Sequence, residues 1–345
     1  MIDAPLMPET QSLSDLLRAA GLHYRVFDLG RRVTVIEQGR FSEMEAGNRP
    51  YAYPLLRQAW MGIVFWEPSD KTHNAVWFVK WLLDEQGLPI PAARDDFLRR
   101  VLDRRSRDDG AKGLLSDVLE ANPYAFRPAE ERMAVFHAKA GRMMGGSPSV
   151  HYDFVRAYLR APSRGDWTTL GYQGIADVAA RLDADGNVEL LAAAIPGMPA
   201  QPLTAFCQCL ENVRVPLPVA EALAERAGKA ASADEAAACV RGLSYTQATA
   251  LRDGTIETLL SRDMGGEKEV LSAISNRAWE SLRHDRLAGL FLNRLAGCEP
   301  ALFNAVMADL LYLPGMREPL LTAMRNPDRP PHVAAAIGGL FEAYA

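Results

Sequence analysis

The spacing of apolar residues changes along the chain, and this change predicts two regions that are built differently. In the N-terminal region, Tyr24–Leu29 and Arg32–Glu37 alternate apolar and polar residues, which is typical of strands. Two longer runs, Gln58–Glu67 and Ala75–Leu83, are rich in aromatic and β-branched residues. Because their connections are too short for helical crossovers, we predict a mostly antiparallel sheet of about four strands. Ala75–Leu83 is apolar on both faces, which favours a central strand.

From residue 114 onward, apolar residues recur with the period of a helix, and Pro, Gly and Asn separate the segments. Helices are predicted at 114–121, 128–142, 149–160, 168–182, 187–194, 200–211, 216–228, 233–241, 245–261, 266–276, 285–297, 299–311, 316–325 and 332–344. Two such helices together approach the ~40-residue unit of HEAT- or armadillo-like arrays. A compact, irregular helical domain is the alternative that the pattern leaves open.

The predicted fold class is therefore α+β, with a small N-terminal sheet followed by an all-α, HEAT-like helical array. The charged, glycine-containing stretch at 106–113 is the favoured boundary, and Met143–Pro148 is a second candidate. We accordingly predict a sheet-containing domain with flanking helices over residues 1–108 and a helical-repeat-like domain over residues 109–345.

Composition narrows the class of protein. The 345 residues are 48% hydrophobic and 23% charged, which is ordinary for a globular protein and unlike a disordered one. The net charge of −5 lacks the basic excess that nucleic-acid binding requires, so we expect no nucleic-acid partner. The N-terminus does not resemble a signal peptide, and no apolar stretch is long enough to span a membrane. We therefore expect a cytoplasmic protein with four reduced cysteines.

The sequence contains none of the short motifs that carry well-understood chemistry. Phosphate-binding loops, dinucleotide-binding glycines, zinc motifs and nucleophile elbows are all absent. The pair Cys207 and Cys209 lies in a predicted helix, where residues two apart point in opposite directions. We therefore predict no catalytic residue, no metal site and no cofactor, and we lean against an enzyme without excluding one.

Two groups of polar and aromatic residues are the candidate binding residues. The first belongs to the sheet region, where a turn and a loop precede apolar strands. The second opens a predicted helix that could meet solvent. The candidates are Asp28, Arg31, Arg32 and His73 in the first group and Trp167, Tyr172 and Gln173 in the second.

An aromatic cluster is the most unusual feature of the composition, since four of the six tryptophans fall within two adjacent strands. Its members are Trp60, Phe65, Trp66, Trp77, Phe78 and Trp81. A sheet core covered by helices is the favoured interpretation. Base stacking is the alternative, but only Lys71 and Lys80 lie nearby to bind phosphates.

The chain also resembles a family of gammaproteobacterial proteins that is classed only as a domain of unknown function. The segments that carry the resemblance lie in the N-terminal half: Ser12–Val33, Ala59–Trp66, Trp77–Leu88, Asn122–Ala138 and Leu170–Asp183. The resemblance implies a bacterial, cytosolic protein, and it transfers no catalytic residue because none of these segments is tied to known chemistry.

Three functions remain as hypotheses. The first is an interaction or scaffold protein that binds another protein on its helical surface, because helical arrays offer extended surfaces for partners. The second is a small-ligand or enzyme site at the junction of the sheet and the helices. The third is nucleic-acid binding through the aromatic sheet, against which the acidic balance argues.

Overall fold

The structure, a computed structural model, describes residues 12–105, 119 and 122–343. The chain packs as two compact units. The first comprises Met1–Gly30 and Thr34–Pro128, and the second comprises Arg31–Val33 and Ala129–Ala345. The predicted linker at 106–113, with its boundary between residues 108 and 109, lies outside the described residues, as does most of the predicted helix at 114–121.

The first unit contains a four-stranded antiparallel sheet, as predicted. Its strands are β1 (His23–Asp28), β2 (Thr34–Ile36), β3 (Gln58–Glu67) and β4 (Asp70–Leu82). They lie in the order β2-β1-β3-β4. In the register, Asp28 of β1 is level with Met61 of β3.

The prediction that the last run is a central strand was wrong, because β4 lies at the edge of the sheet. Its outer side is nevertheless occupied by a short backbone segment. The Lys80 amide donates to the Tyr124 carbonyl oxygen at 2.8 Å, and the Phe126 amide donates to the Phe78 carbonyl oxygen at 3.1 Å. These two hydrogen bonds satisfy backbone groups at the outer edge of β4, so this apolar edge strand is not left open to pairing with another strand at that point.

Three helices in this unit surround an aromatic core: α1 (Leu13–Ala19), α2 (Gln38–Glu45) and α3 (Pro91–Arg105). The Phe41 ring stacks on Trp81 at 6.4 Å between centroids, and Phe97 meets Trp81 edge-on at 5.9 Å. Trp66, Trp77 and Trp81 are at most 6% exposed. These tryptophans therefore belong to the core, which is the favoured interpretation of the cluster.

The described part of the second unit contains thirteen α-helices. They are α4 (Glu130–Met143), α5 (Tyr152–Leu159), α6 (Tyr172–Ala180), α7 (Asn187–Ala194), α8 (Ala200–Leu210), α9 (Leu217–Gly228), α10 (Ala233–Leu243), α11 (Thr249–Ser261), α12 (Lys268–Arg277), α13 (Asp285–Leu295), α14 (Pro300–Tyr312), α15 (Arg317–Met324) and α16 (Pro331–Ala343).

Prolines and caps set many of these helix starts. Pro199 and Pro216 precede α8 and α9, and Pro300 and Pro331 occupy the first positions of α14 and α16. Proline suits these positions because the first helical amides have no intrahelical acceptor. The Ser232 side chain caps α10 by accepting from the Glu235 amide. The helices predicted from residue 128 onward are confirmed, with starts that differ by a few residues, as in α6 and α11.

The helices stack in two rows, because each helix packs against the helix two positions further along the chain. One row contains the even-numbered helices from α4 to α16, and the other contains the odd-numbered helices from α5 to α15. Helices of the two rows also pack against each other, for example α9 against α10. Each inner helix thus buries its apolar face on at least two neighbours.

Candidate functional site

A three-residue segment, Arg31–Val33, packs with the helical unit although it lies between β1 and β2 in the sequence. Its central residue, Arg32, donates from Nη1 and Nη2 to the two carboxylate oxygens of Glu280 at 2.9 and 2.7 Å. The Arg32 guanidinium also lies 4.4 Å from the ring centroids of both Tyr245 and Trp279. A planar guanidinium suits this combination of paired hydrogen bonds and aromatic stacking.

The two arginines of this segment also reach the C-terminal ends of the even-row helices. Arg32 Nη2 donates to the carbonyl oxygens of Ser244 and Arg277 at 3.1 and 2.9 Å, at the ends of α10 and α12. The fully buried Arg31 forms an ion pair with Asp309 of α14 at 2.5 Å. Helix C-termini carry partial negative charge, so cations at these ends are stabilising.

The last residue of the segment is held through its backbone. The Val33 amide donates to Asn212 Oδ1 at 2.8 Å, just after α8. Lys139 Nζ of α4 donates to the carbonyl oxygens of Val33 and Asn212, the latter at 2.7 Å. Burial lowers the pKa of Lys139 to about 8. The segment therefore joins residues from α4 to α14 in one buried polar network.

Glu211 is the second feature of this network, a fully buried carboxylate at the end of α8. Arg241 Nε lies 2.6 Å from Oε2 of Glu211, and Arg277 Nε lies 2.8 Å from Oε1. Arg132 approaches the same carboxylate at 3.5 Å. Burial raises the pKa of Glu211, but the three guanidinium groups outweigh this effect and hold the pKa below its ordinary value.

A groove crosses the even row directly beside this carboxylate and has a volume of about 790 Å³. Helices α8, α10 and α12 form its walls, and Arg241 and Arg277 line one end. The lining residues are Ala200, Gln201 and Thr204 of α8, Asp234, Ala237, Ala238 and Arg241 of α10, and Lys268, Glu269, Ser272, Ala273, Asn276 and Arg277 of α12.

Small side chains explain why this surface is concave. Ala237 and Ala238 of α10 and Ala273 of α12 form the floor, where longer side chains would fill the space between the helices. Polar residues such as Gln201, Asp234 and Lys268 are exposed at the rim. Adjacent packed helices lie about 8–10 Å apart, so the axes of α8 and α12 lie roughly 16–20 Å apart, which leaves room for a peptide segment.

A second cavity of about 800 Å³ lies in the first unit between α1, α2 and α3. Its charged side chains pair along its walls, as in Arg18 with Asp15 and Arg94 with Asp95. Glu45 at its edge accepts hydrogen bonds from the amides of Leu13 and Ser14 and thereby caps α1. Because these charged side chains of the cavity wall already bind one another or cap α1, their role is structural. The groove of the helical unit is therefore the stronger candidate site.

The family of the chain is shown by comparison with protein-family models. The model described as a protein of unknown function, DUF3549, matches residues 9–341. The chain belongs to this family. The predicted resemblance to a domain of unknown function is thereby confirmed, and a bacterial source stays a prediction. No curated protein and no solved structure matches the DUF3549 chain.

Two of the sheet-region candidates of this DUF3549 protein, Asp28 and His73, lie apart within the first unit. Asp28 is buried and accepts a hydrogen bond from the Tyr51 hydroxyl at 2.5 Å. His73 is exposed and pairs with Asp70 at 2.6 Å. His73 precedes Asn74, which pairs with Trp66 of β3. Asp28 pairs with Met61 of β3, five residues away from Trp66, so Asp28 and Asn74 lie about 17 Å apart along the sheet. Arg31 and Arg32 lie in the buried network of the helical unit.

The candidates of the second group lie at the start of α6 in the even row. Trp167 belongs to a short 3₁₀ turn, and Trp167, Tyr172 and Gln173 are all half-buried. The Tyr172 hydroxyl donates to Gln208 Oε1 of α8 at 2.8 Å. Tyr172 thus contacts α8, the helix that also forms one wall of the groove.

Sequence reasoning missed the residues at the centre of the site, namely Glu211, Arg241, Arg277 and Lys139. One signal for Glu211 is present in the sequence, since a lone acid follows the largely apolar segment from Leu203 to Leu210. A buried acid of this kind needs cationic partners. Its three arginine partners are distant in the sequence, so only the stacking of the helices reveals them.

The described residues of this DUF3549 chain contain neither a metal-binding cluster nor a membrane-spanning helix. No three His, Cys, Asp or Glu side chains among them lie close enough together to hold a metal ion. Across the same part of the chain, no helix has the length and apolar character to cross a membrane.

Proposed function

We propose that this DUF3549 protein is an interaction module, which binds a segment of a partner protein in the groove across α8, α10 and α12. The observation that carries the proposal is the groove itself, with an alanine floor and an exposed polar rim on three stacked helices. The two-row stacking supports a HEAT-like interpretation of the array, since such arrays commonly use one row of helices as a binding surface.

The shape of the groove favours a peptide segment over a small molecule. Small-ligand sites enclose most of the ligand in a largely apolar pocket. Here the rim residues Gln201, Asp234 and Lys268 are exposed, and the floor offers methyl groups between polar side chains. A chain segment can lie across such a surface and use both its backbone and its side chains.

A groove-filling substitution tests the proposal. Ser272→Trp places a large side chain inside the groove, while Ser261→Trp adds the same side chain at an exposed position of α11 in the other row. Each tagged variant is purified from the source cells, and the co-purified proteins are quantified by mass spectrometry. We expect a stoichiometric partner with the wild type and Ser261→Trp but not with Ser272→Trp. Equal recovery with both variants, or a bound small molecule in place of a protein, contradicts the proposal.

We further propose that the protein acts in the cytoplasm. Cys207, Cys209 and Cys239 are buried free thiols, which suits a reducing compartment. Fractionation of the source cells checks this point, and recovery in the periplasmic or secreted fraction contradicts it.

A further inference from the structure

The two most exposed large apolar side chains among the described residues lie next to each other at α5. Val150 is 87% exposed, and Phe154, four positions later on the same side of the helix, is 70% exposed. Ala157 and Ala161 are also exposed and continue the same side of the helix. Backbone hydrogen bonds of the i to i+3 type continue the turns of α5 beyond both of its ends, so all four residues follow one helical spiral. They form an apolar stripe that is open to solvent.

The stripe lies at the beginning of the odd row. Its helix, α5, packs on α6 and α7, and among the described residues no other odd-row helix precedes it. The buried side of α5 carries Tyr152, Val155 and Leu159. A helix that ends a stacked row has a polar outer side when it faces water alone. The apolar outer side of α5 is typical of an interface instead.

The stripe is complementary to itself when two copies of α5 run antiparallel. Its large residues, Val150 and Phe154, occupy the first half, and its small residues, Ala157 and Ala161, occupy the second half. A two-fold axis through the middle of the stripe places Phe154 on the partner's Ala157 and Val150 on the partner's Ala161, because the two pairs have the same midpoint. Large side chains thereby fill the space above small ones, as close helix packing requires.

Two charged residues beside the stripe have the same self-complementary order. Asp153 and Arg160 are exposed and seven positions apart, so both lie along one side of the stripe. In an antiparallel pair, the corresponding sides of the two helices face each other, so each Asp153 meets the partner's Arg160. The midpoint of these two residues differs from that of the stripe by one position, which is about 1.5 Å along the helix.

Neighbouring charges reduce this pairing but keep its direction. Arg156 approaches Asp153 at 3.9 Å, but it donates to the Asn187 side chain at 3.1 Å and to the Asp185 carbonyl oxygen at 2.6 Å, away from the stripe. The Asp153 side chain remains 90% exposed. The helix ends carry opposite partial charges of roughly half a unit, less than the full charge of each side chain. The charges therefore set the orientation, and the apolar stripe supplies most of the affinity.

We propose that the outer side of α5 is the interface of a two-fold symmetric dimer, in which it binds α5 of a second copy of this chain in antiparallel orientation. This inference goes beyond the proposed function, since α5 forms no part of the groove and a dimer presents two grooves. One short helix against its copy buries on the order of 1,000 Å² in total, near the lower limit for specific interfaces. We therefore expect a dissociation constant in the micromolar range.

Sedimentation velocity of the full-length protein from about 1 to 300 μM provides the test, since this range spans micromolar dissociation constants. We expect a monomer at the lowest concentrations and a dimer at the highest. Phe154→Glu places a charge inside the interface and should weaken the dimer by about 100-fold or more. Phe341→Glu makes the same change at a side chain of α16 that is 59% exposed, and it should leave the dimer unchanged. Circular dichroism checks that both variants remain folded.

A charge exchange tests the antiparallel orientation. Asp153→Arg brings two arginines together at each end of the interface and should weaken the dimer by about tenfold. The double substitution Asp153→Arg/Arg160→Asp exchanges the signs, so it should restore the dimer to within about threefold of the wild type.

A wild-type protein that stays monomeric at the highest concentration overturns the inference and leaves the stripe to a different macromolecule. A dimer that Phe154→Glu does not weaken overturns it as well, because the contact then lies elsewhere. Failure of the double substitution to restore the dimer overturns the antiparallel orientation. The proposed function is judged separately, by the loss of partner with Ser272→Trp in the groove.

Discussion

Arg32 and Glu280 form a bidentate ion pair, in which each guanidinium Nη atom lies within 2.9 Å of one carboxylate oxygen. The Arg32 side chain is 5% exposed, whereas Glu280 is 30% exposed. Arg32 also bridges the carbonyl ends of α10 and α12 through Ser244 and Arg277. The pair therefore contributes to the stability of the helical unit at the ends of the helices that form the groove.

We predict that Arg32→Ala lowers the free energy of unfolding of the helical unit by about 2 kcal/mol, because Glu280 keeps only the more distant Arg252, at 3.6 Å, and two helix ends lose a cationic donor. Urea denaturation measures the loss, and hydrogen exchange should show reduced protection near residues 240–250 and 272–284. The exposed pair of Arg286 with Glu257 gives the control, since Arg286→Ala should change stability by less than ~0.5 kcal/mol. Equal effects of the two substitutions would contradict the prediction.

Lys139 should produce a specific pH dependence. Its pKa of about 8 in the folded protein lies below the ordinary value near 10.4, so between these values the unfolded chain holds more protons at this residue. Protonation of the buried amine therefore favours unfolding. The stability of the wild type, relative to Lys139→Met, should rise by about 2 kcal/mol as the pH increases from 7 to 10.

Denaturation at a series of pH values measures this difference. Lys229 is 72% exposed and pairs with Glu225 on the surface, so Lys229→Met provides the control and should show no such trend. A difference between wild type and Lys139→Met that stays constant across the range refutes the assignment of a depressed pKa to Lys139.

Two glycines of the helical unit should respond in opposite ways to alanine. At Gly265, a Cβ atom would meet the backbone of Leu259 and would lie 2.7 Å from Leu260 Cα. Gly254 lies in the exposed interior of α11, where a Cβ atom would meet nothing within 4 Å. We expect Gly265→Ala to lower the melting temperature and to cost about 2 kcal/mol. Gly254→Ala should stabilise the protein by about 0.5–1 kcal/mol. Stabilisation by both substitutions would show that the backbones do not approach closely at Gly265.

Local sequence signals predicted most of the fold. The four strands and the helices from α4 to α16 follow from apolar periodicity, prolines and caps, as in α7, which spans Asn187–Ala194 as predicted. Helix α2 was missed because Gly39 and Ser42 weaken its propensity and only Phe41 and Met44 face inward as apolar residues. The edge position of β4 was missed because residues 124–126, distant in the sequence, cover it.

The site was less predictable because it depends on contacts between distant residues. Arg31 and Arg32 were selected from the sequence as binding residues, and the structure shows that they contact the protein itself through Asp309 and Glu280. Their binding role beyond the chain stays a prediction. The groove depends on alanines of α10 lying beside α8 and α12, a relationship that helical periodicity does not encode.

Photo-crosslinking from within the groove tests the central claim, that this surface binds a partner protein, most directly. The photoreactive amino acid p-benzoylphenylalanine replaces the exposed Gln201 at the groove wall or, as the control, the exposed Arg286 on α13. After irradiation of the source cells, crosslinked peptides are identified by mass spectrometry. We predict one dominant partner protein from position 201 and none from position 286. Crosslinks from position 286 alone, or the same background proteins from both positions, would contradict the account.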